Sequence, residues 1–342
     1  MKNVTIPEFA KDCAYRTRER LDTLAKLPGS LGKLEELSIR LAGITARECP
    51  SFPNKGLVLF AADHDIVLKG ASASSQEMTE LQVRNFCRGG GAINAFCRTA
   101  NACFTIVDVG MKRDVDIPGL VQRKVVHGAR DFSTDPAMTR DEALSCLQVG
   151  IDMAREQAAR GINLLAPGEM GIGNTSPSAA IISVLADMPL ESVTGMGAYM
   201  SSDRLKKKTE LIRHGIEVNQ PDPSDPLDVL AKVGGPEIAA MAGFMLGGVS
   251  LRIPVVLDGL IATAAALVAE KLFPGTASML TGSHVSAVPG HAALMERLGI
   301  PTYLDLGMRL GEGTGAVLLF PVIDTAVRIL TEMPTLDSLD FS

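Results

Sequence analysis

Short, uninterrupted apolar runs recur along the chain, and each ends in small or polar residues. The runs cover residues 57–63, 103–110, 163–171, 193–197, 253–259, 277–284 and 302–307. Uninterrupted apolar positions are typical of strands that helices cover on both faces. Helical periods lie between the runs, at 78–98, 140–160 and 261–273. We therefore predict an α/β fold with an open parallel (Rossmann-like) sheet and helices on both faces.

The two ends of the chain follow a different pattern. Residues 8–25 and 32–47 have the periodicity of helices, and 314–332 has that of a long apolar helix. We expect residues 1–30 and 300–342 to form a small helical domain beside a large α/β domain at 31–299. A charge-free apolar stretch of about 18 residues is absent, so the sequence predicts no membrane span.

Polar residues follow the apolar runs, and ligands of open α/β sheets bind beyond the carboxyl ends of the strands. The functional candidates are therefore Asp63, Asp108, Glu169, Thr194, Asp258 and Ser283, with Glu312 in the loop after the last run.

A glycine-rich segment at 168–176 lies between an apolar run and a predicted helix. Glycines let the backbone approach a ligand, and the free N–H groups of a helix N-terminus bind anions. Thr175 and Ser176 add hydroxyl groups and could cap the helix. The segment predicts a phosphate site, although a plain strand-to-helix turn has the same pattern. It matches neither GxxxxGK[ST] nor GxGxxG, since residue 176 is Ser, which disfavours a nicotinamide-dependent dehydrogenase.

Other motifs have two readings each. Glu312 lies in a glycine-rich loop at 307–315, where a carboxylate could act as a general base or merely cap the next helix. Asp63, His64 and Asp65 offer only one histidine with two flanking acids, which are too few suitable ligands for a transition metal. We therefore expect a hydrogen-bonded structural histidine and no metal. The glycines at 89–91 indicate a helix break or close packing, with ligand contact as the alternative.

Charge and cysteine content narrow the class of protein. A net charge of −6 and a pI near 5.5 disfavour a general nucleic-acid binder. The six cysteines contain no CxxC pair, which is typical of reduced thiols in the cytoplasm.

Eight segments together resemble the nicotinate-nucleotide–dimethylbenzimidazole phosphoribosyltransferase family. They lie at 27–44, 61–67, 75–94, 107–110, 168–180, 257–267, 283–291 and 304–316. The resemblance implies a large parallel-sheet domain, a small domain built from both chain ends, and a homodimer. It also implies transfer of a ribose phosphate from nicotinate mononucleotide to an aromatic base, without a metal or cofactor.

The resemblance also implies roles for individual residues. Glu312 would be the general base, with Glu169 as a second catalytic carboxylate. Ser74, Gln82 and Leu310 would bind the incoming base. The nucleotide and its phosphate would contact Gly171, Gly173, Asn174, Thr175, Ser176, Gly195, Gly197, Lys208, Asp258 and Ser286. Lys206 is the alternative to Lys208, because the spacing before the lysines departs from the family pattern.

Two further departures concern the acceptor. Asp65 replaces a glycine of the family's Gly-Asp-His-Gly segment, and Val288 replaces an acid. Loss of that acid could favour a phenol or p-cresol acceptor, with a paralogous subunit completing the enzyme. A non-catalytic paralogue that only binds nucleotide is the other alternative, although retention of Glu169 and Glu312 disfavours it.

Overall fold

The structure, a computed structural model, describes residues 4–195 and 201–339. Its strands are β1 (Lys55–Ala62), β2 (Ala102–Gly110), β3 (Leu120–Gln122), β4 (Leu164–Met170), β5 (Val255–Leu257) and β6 (Leu280–Gly282). Its α-helices are α1 (Lys11–Thr23), α2 (Lys33–Thr45), α3 (Glu77–Cys87), α4 (Ala92–Thr99), α5 (Arg140–Ala159), α6 (Thr175–Ala186), α7 (Leu190–Val193), α8 (Ser202–Asn219), α9 (Pro226–Val233), α10 (Pro236–Ser250), α11 (Leu260–Leu272), α12 (His291–Arg297) and α13 (Thr314–Glu332). Short 3-10 helices lie at Asp65–Lys69, Ala277–Met279 and Leu336–Ser338.

The strands form one sheet in the order β3-β2-β1-β4-β5-β6, and every neighbouring pair is parallel. This confirms the predicted open parallel sheet. The strand order reverses between β1 and β4, so the connections leave these two strands in opposite directions. A crevice therefore opens at their carboxyl ends, which is where ligands bind in this architecture.

Side chains of β1 alternate between two core layers. Val58 and Phe60 face one layer, where Phe60 makes an edge-to-face contact with Phe244 of α10. Leu57 and Leu59 face the other layer together with Phe320 of α13. Burial on both faces explains why the run along β1 is uninterrupted rather than alternating.

Several sequence predictions about elements were wrong or incomplete. Residues 302–307 form no strand, and only Leu304 makes an isolated bridge, to His284. The run at 193–197 begins at the last residue of α7, and its residues 196 and 197 lie outside the described part of the chain. The three-residue edge strand β3 was missed because it is too short to give a run.

The predicted helix at 78–98 is two helices, α3 and α4, with a break at the glycines 89–91. Gly89 has a φ of 81°, and a Cβ at Gly91 would lie 2.4 Å from Phe86 Cδ1. A helix break with close packing was one of the two predicted readings of this motif.

Helices from the two chain ends contact one another. α1 and α2 pack together and against α13, and Leu21 and Leu24 lie against Leu330. α2 therefore packs against helices of the predicted small domain, although its residues were assigned to the predicted large domain. The domain boundary at residue 31 stays a prediction. Among the described helices, α13 alone is long and apolar enough to cross a membrane by length and composition. Its apolar face is buried against the sheet, as expected for a core helix.

Candidate active site

Glu169 lies at the carboxyl end of β4, in the crevice beside β1. Its side chain is buried, and its Oε2 accepts a hydrogen bond of 2.5 Å from Asn174 Nδ2. Its Oε1 accepts a bond of 3.3 Å from the backbone N–H of Glu312. Burial raises the pKa of Glu169 to about 8, although these two donors oppose the rise. Glu169 therefore connects the glycine-rich segment after β4 to the loop before α13.

Three consecutive residues of the loop before α13 have left-handed backbone conformations. Gly311, Glu312 and Gly313 have φ values of 85°, 63° and 81°. A Cβ at Gly311 would lie 2.5 Å from Glu169 Oε1, and one at Gly313 would lie 2.5 Å from Leu57 Cδ1. Only glycine fits on either side of Glu312. A non-glycine residue in this conformation is strained, and such strain concentrates at functional sites.

Asp258, which follows β5, holds this loop through its backbone. Its Oδ2 accepts the N–H of Gly313 at 2.9 Å, and its Oδ1 accepts the N–H of Gly315 at 2.8 Å. Burial raises the pKa of Asp258 to about 6, and the backbone amides oppose that rise. Both of its carboxylate oxygens thus bind the N-terminus of α13, and contact between Asp258 and the nucleotide stays a prediction.

Glu312 is only 9% exposed, and its Oε2 is buried without a hydrogen-bond partner. Burial, and then the charge of Asp258, raises the pKa of Glu312 to about 7, against the effect of the Ile93 amide. A carboxylate with a pKa near neutrality is well suited to accept a proton from a bound substrate. Ile93 lies in the first turn of α4, directly after the glycines 89–91.

The segment after β4 turns sharply in a space that admits no side chains. A Cβ at Gly171 would lie 2.7 Å from the Ala62 carbonyl oxygen. Gly173 has a φ of 94°, and its Cβ would lie 2.4 Å from Val67 Cγ2. α6 then begins at Thr175, so Thr175 and Ser176 belong to its first turn. The prediction that they cap the helix is wrong, since no side chain caps α6.

Polar groups converge on this first turn of α6. Lys208 Nζ, from α8, donates to Thr175 Oγ1 at 2.8 Å and to the Gly195 carbonyl at 3.0 Å. Burial lowers the pKa of Lys208 to about 8. Ser176 Oγ is buried without a partner. A buried cation, an unpaired hydroxyl and a helix N-terminus together can bind an anion.

The structure distinguishes between the two candidate lysines. Lys208 is buried beside Thr175, whereas Lys206 is exposed on the same helix. Gly195 is in contact with Lys208, and Gly197 lies outside the described residues.

Ser286 connects two loops of the site. Its Oγ accepts the N–H of Val288 at 3.3 Å and donates to the Met308 carbonyl at 3.4 Å. A Cβ at Gly195 would lie 3.0 Å from Val288 Cγ1, so Val288, which departs from the family pattern, packs closely against Gly195.

The residues expected to bind the incoming base are half-buried or exposed. Ser74 lies in the turn before α3, and Gln82 lies on α3. Ser74 therefore lies outside the helix that carries Gln82, because α3 begins only at Glu77. Leu310 is 56% exposed. Within residues 4–195 and 201–339, no hydrogen bond joins these three side chains to Glu169 or Glu312.

Sequence reasoning missed two buried side chains near the crevice, Glu237 and Thr79. His64 Nε2 pairs with Glu237 Oε1 at 2.7 Å, so His64 is hydrogen-bonded as expected. Burial would lower the pKa of His64, but Glu237 and neighbouring acids raise it. Thr79 Oγ1 accepts the N–H of Ile172. The available signals were weak: Glu237 follows a helix-initiating Pro236, and Thr79 belongs to an otherwise apolar stripe of α3.

Metal binding has no support in the described part of the chain. No group of three or more His, Cys, Asp or Glu residues within it could hold a metal ion. The buried acids instead accept hydrogen bonds from amides and, for Glu237, pair with His64.

A parallel sheet that carries a helix N-terminus, a buried lysine and buried carboxylates at its switch point has the features of an α/β enzyme for a phosphorylated substrate. A family model described as phosphoribosyltransferase matches residues 6–339. The nicotinate-nucleotide–dimethylbenzimidazole phosphoribosyltransferase of Geobacter sulfurreducens is 47% identical over 94% of this chain and 92% of its own length. The enzyme of the same name from Desulforamulus reducens is 46% identical over 94% of this chain and 93% of its own.

Solved structures agree with these relatives. The crystal structure of nicotinate-nucleotide–dimethylbenzimidazole phosphoribosyltransferase from Thermus thermophilus superimposes with a TM-score of 0.90 and 41% identity, covering 95% of this chain and 97% of that chain. A crystal structure of CobT from the same organism gives a TM-score of 0.91 at 42% identity, covering 95% and 98% of the two chains. The chain therefore belongs to the nicotinate-nucleotide–dimethylbenzimidazole phosphoribosyltransferase family.

Proposed function

We propose that this enzyme transfers the phosphoribosyl group of nicotinate mononucleotide to the lower-ligand base of a cobamide, such as 5,6-dimethylbenzimidazole. The products are an α-ribotide 5′-phosphate and nicotinate. The observation that carries this proposal is the Glu312 carboxyl group, which has a pKa of about 7 and one unpaired buried oxygen, in the same crevice as the anion-binding turn.

The nucleotide occupies the β4–α6 side of the crevice. Its phosphate binds the first turn of α6, where Lys208 supplies positive charge and Ser176 supplies an unpaired hydroxyl. Gly171 and Gly173 bring the backbone close to the ligand, and Asn174 and Thr175 contact it from the same turn. Gly195, Gly197 and Ser286 border the ribose, and Asp258 acts mainly by holding the loop that carries the general base.

Glu312 accepts a proton while the incoming aromatic base attacks the nucleotide. One azole nitrogen loses its proton to Glu312 as the other nitrogen attacks C1′ of the nucleotide. The bond between C1′ and the pyridinium nitrogen breaks, and its electron pair neutralises that nitrogen in the departing nicotinate. Because the leaving group begins with a positive charge, the reaction needs no metal to stabilise it.

Glu169 has a different role from Glu312. Burial raises its pKa to about 8, and both of its oxygens already accept hydrogen bonds, so neither is available to take a proton from the incoming base. Its hydrogen bonds to Asn174 and to the Glu312 amide fix the nucleotide turn relative to the catalytic loop.

Ser74, Gln82 and Leu310 form the pocket for the acceptor. The curated relatives named above carry dimethylbenzimidazole in their names, which favours a benzimidazole over the phenol that Val288 suggested. We also propose that the enzyme acts in the cytoplasm as a homodimer, and that residues 1–30 and 300–342 form its small domain.

The direct test is an assay of the purified chain with nicotinate mononucleotide and a panel of benzimidazoles, purines and phenols. We expect release of nicotinate together with formation of a ribotide, fastest with a benzimidazole. Activity that appears only after a paralogous subunit is added would support the two-subunit alternative. Absence of nicotinate release with every acceptor would contradict the proposal.

A further inference from the structure

The buried stripe of α3 contains one polar side chain. Thr79, Val83 and Phe86 are the buried residues of this helix, and Thr79 is completely buried. A valine would fill the same volume without burying a hydroxyl, and a buried hydroxyl is unfavourable unless it forms hydrogen bonds. The contacts of the Thr79 hydroxyl must therefore offset the cost of its burial.

That hydroxyl contacts the glycine-rich segment. Thr79 Oγ1 accepts a hydrogen bond of 3.2 Å from the N–H of Ile172, which lies between Gly171 and Gly173. Ile172 thus lies in the part of the segment that turns from β4 towards the first turn of α6. Among the described residues, this is the one side-chain hydrogen bond between α3 and residues 171–176.

Asp63, directly after β1, lies near the same hydroxyl. Burial raises the pKa of Asp63, and the Lys112 amide and the Thr79 hydroxyl both oppose that rise. Asp63 Oδ2 accepts the Lys112 N–H at 2.7 Å, whereas its Oδ1 is buried without a hydrogen-bond partner. The hydrogen bond from Ile172 is therefore the contact through which the Thr79 hydroxyl joins α3 to the glycine-rich segment.

Gln82 lies on α3 one helical turn beyond Thr79. Residues three apart in a helix move together, because the intervening backbone is held by helical hydrogen bonds. A shift of Thr79 relative to Ile172 would therefore displace the pocket wall that carries Gln82 relative to the bound nucleotide.

We propose that Thr79 is a positioning residue that fixes the acceptor pocket at the correct distance from the nucleotide turn. This inference rests on the proposed function, since it concerns the distance between the acceptor nitrogen and C1′. Correct positioning favours attack by the base, whereas a displaced acceptor leaves C1′ open to water. A 1 Å error in such an alignment can reduce a rate by about 100-fold.

The test compares Thr79→Val, which removes the hydroxyl, with Thr79→Ser, which retains it. Thr17→Val is the matched control, because Thr17 is also completely buried. Its hydroxyl donates to the carbonyl oxygens of Cys13, on α1, and of Glu48. Nicotinate release and ribotide formation are measured separately, with and without 5,6-dimethylbenzimidazole, along with the melting temperature.

For Thr79→Val we expect kcat for transfer to fall about tenfold or more, the KM for the base to rise, and a larger share of nicotinate to be released without ribotide. Thr79→Ser should restore both kcat and the ratio of ribotide to nicotinate. Thr17→Val should lower the melting temperature and leave that ratio unchanged. If Thr79→Val does not fold, Thr79→Ala takes its place in the same comparison.

Wild-type kinetics with a lowered melting temperature in Thr79→Val would overturn the inference, since the hydroxyl would then only stabilise the fold. Failure of the wild-type chain itself to transfer phosphoribosyl to any base would instead contradict the proposed function. The two outcomes are distinguished by the wild-type assay.

Discussion

The two sides of the crevice are built in opposite ways. On the proposed nucleotide side, Lys208 pairs with Thr175 and Asn174 pairs with Glu169, and only the Ser176 hydroxyl is unpaired among the described polar side chains of that turn. On the acceptor side, Glu312 has an unpaired buried oxygen, and Leu310 is largely exposed. The phosphate site follows from a strand-to-helix turn that the fold provides. The proposed acceptor site instead depends on a strained loop that neighbouring acids hold in place, and one buried oxygen of its carboxylate has no hydrogen-bond partner.

The largest effect is expected from the acceptor side. Glu312→Gln keeps the shape of the side chain but removes the proton acceptor, so kcat should fall by about 10²- to 10⁴-fold. The affinity for nicotinate mononucleotide should change little, because the nucleotide side is intact. Steady-state kinetics and calorimetric titration with the nucleotide measure the two quantities.

Thermal melting at several pH values provides the control for Glu312→Gln. Because burial raises the pKa of Glu312 to about 7, the wild-type protein should lose stability as the pH rises from the ordinary glutamate range through 7. The variant should lose less. A variant that turns over at the wild-type rate would show that Glu312 is not the base.

On the nucleotide side, Lys208→Met should weaken nucleotide binding. Loss of a buried charge that faces the phosphate should lower kcat/KM for nicotinate mononucleotide by about 10- to 100-fold, mostly through KM. Lys206→Met, on the exposed face of the same helix, is the matched control and should behave as wild type. Equal effects of the two substitutions would mean that Lys208 does not contact the phosphate.

The pH profile of kcat/KM for the wild-type enzyme tests the acceptor side without a mutation. Glu312 must be ionised to accept a proton, so kcat/KM should fall about tenfold per pH unit below its pKa of about 7 and level off above it. The same limb should be absent from the residual activity of Glu312→Gln. A limb that persists in the variant would have to be assigned to another group.

The smallest effect is expected for Leu310→Ala. Leu310 is 56% exposed and can offer only part of its apolar surface to the base, so the KM for 5,6-dimethylbenzimidazole should rise by about two- to fivefold. Leu306→Ala, which removes a similarly exposed leucine from the same loop, is the control. No change in either KM would exclude Leu310 from the acceptor pocket.

The sequence predicted the central strands well because β1 and β4 are buried on both faces and give long apolar runs. It failed at the edges of the fold. β3 has only three residues, and the apolar run at 302–307 packs beside β6 without forming a ladder. Run length alone cannot distinguish a strand from a loop that contains apolar residues.

For the site, the glycine-rich motifs located Glu169 and Glu312, since their neighbours must be small wherever the backbone turns sharply. The sequence could not choose between Lys206 and Lys208, because that choice depends on which face of α8 is buried. The actual partners of Asp258, and the presence of Thr79 and Glu237, depend on contacts between residues far apart in the chain. Such contacts leave no local pattern.

α13 begins immediately after the catalytic loop and ends beside the first helix of the chain. Arg20 Nε donates to the Leu330 carbonyl at 2.6 Å, near the far end of this helix. This helix of 19 residues, about 28 Å long and with Pro321 inside it, thus runs from Glu312 to the N-terminal segment. Trimming a terminus, or fusing a partner directly to it, would disturb the packing of a helix whose other end adjoins Glu312, so affinity tags belong on long, flexible extensions.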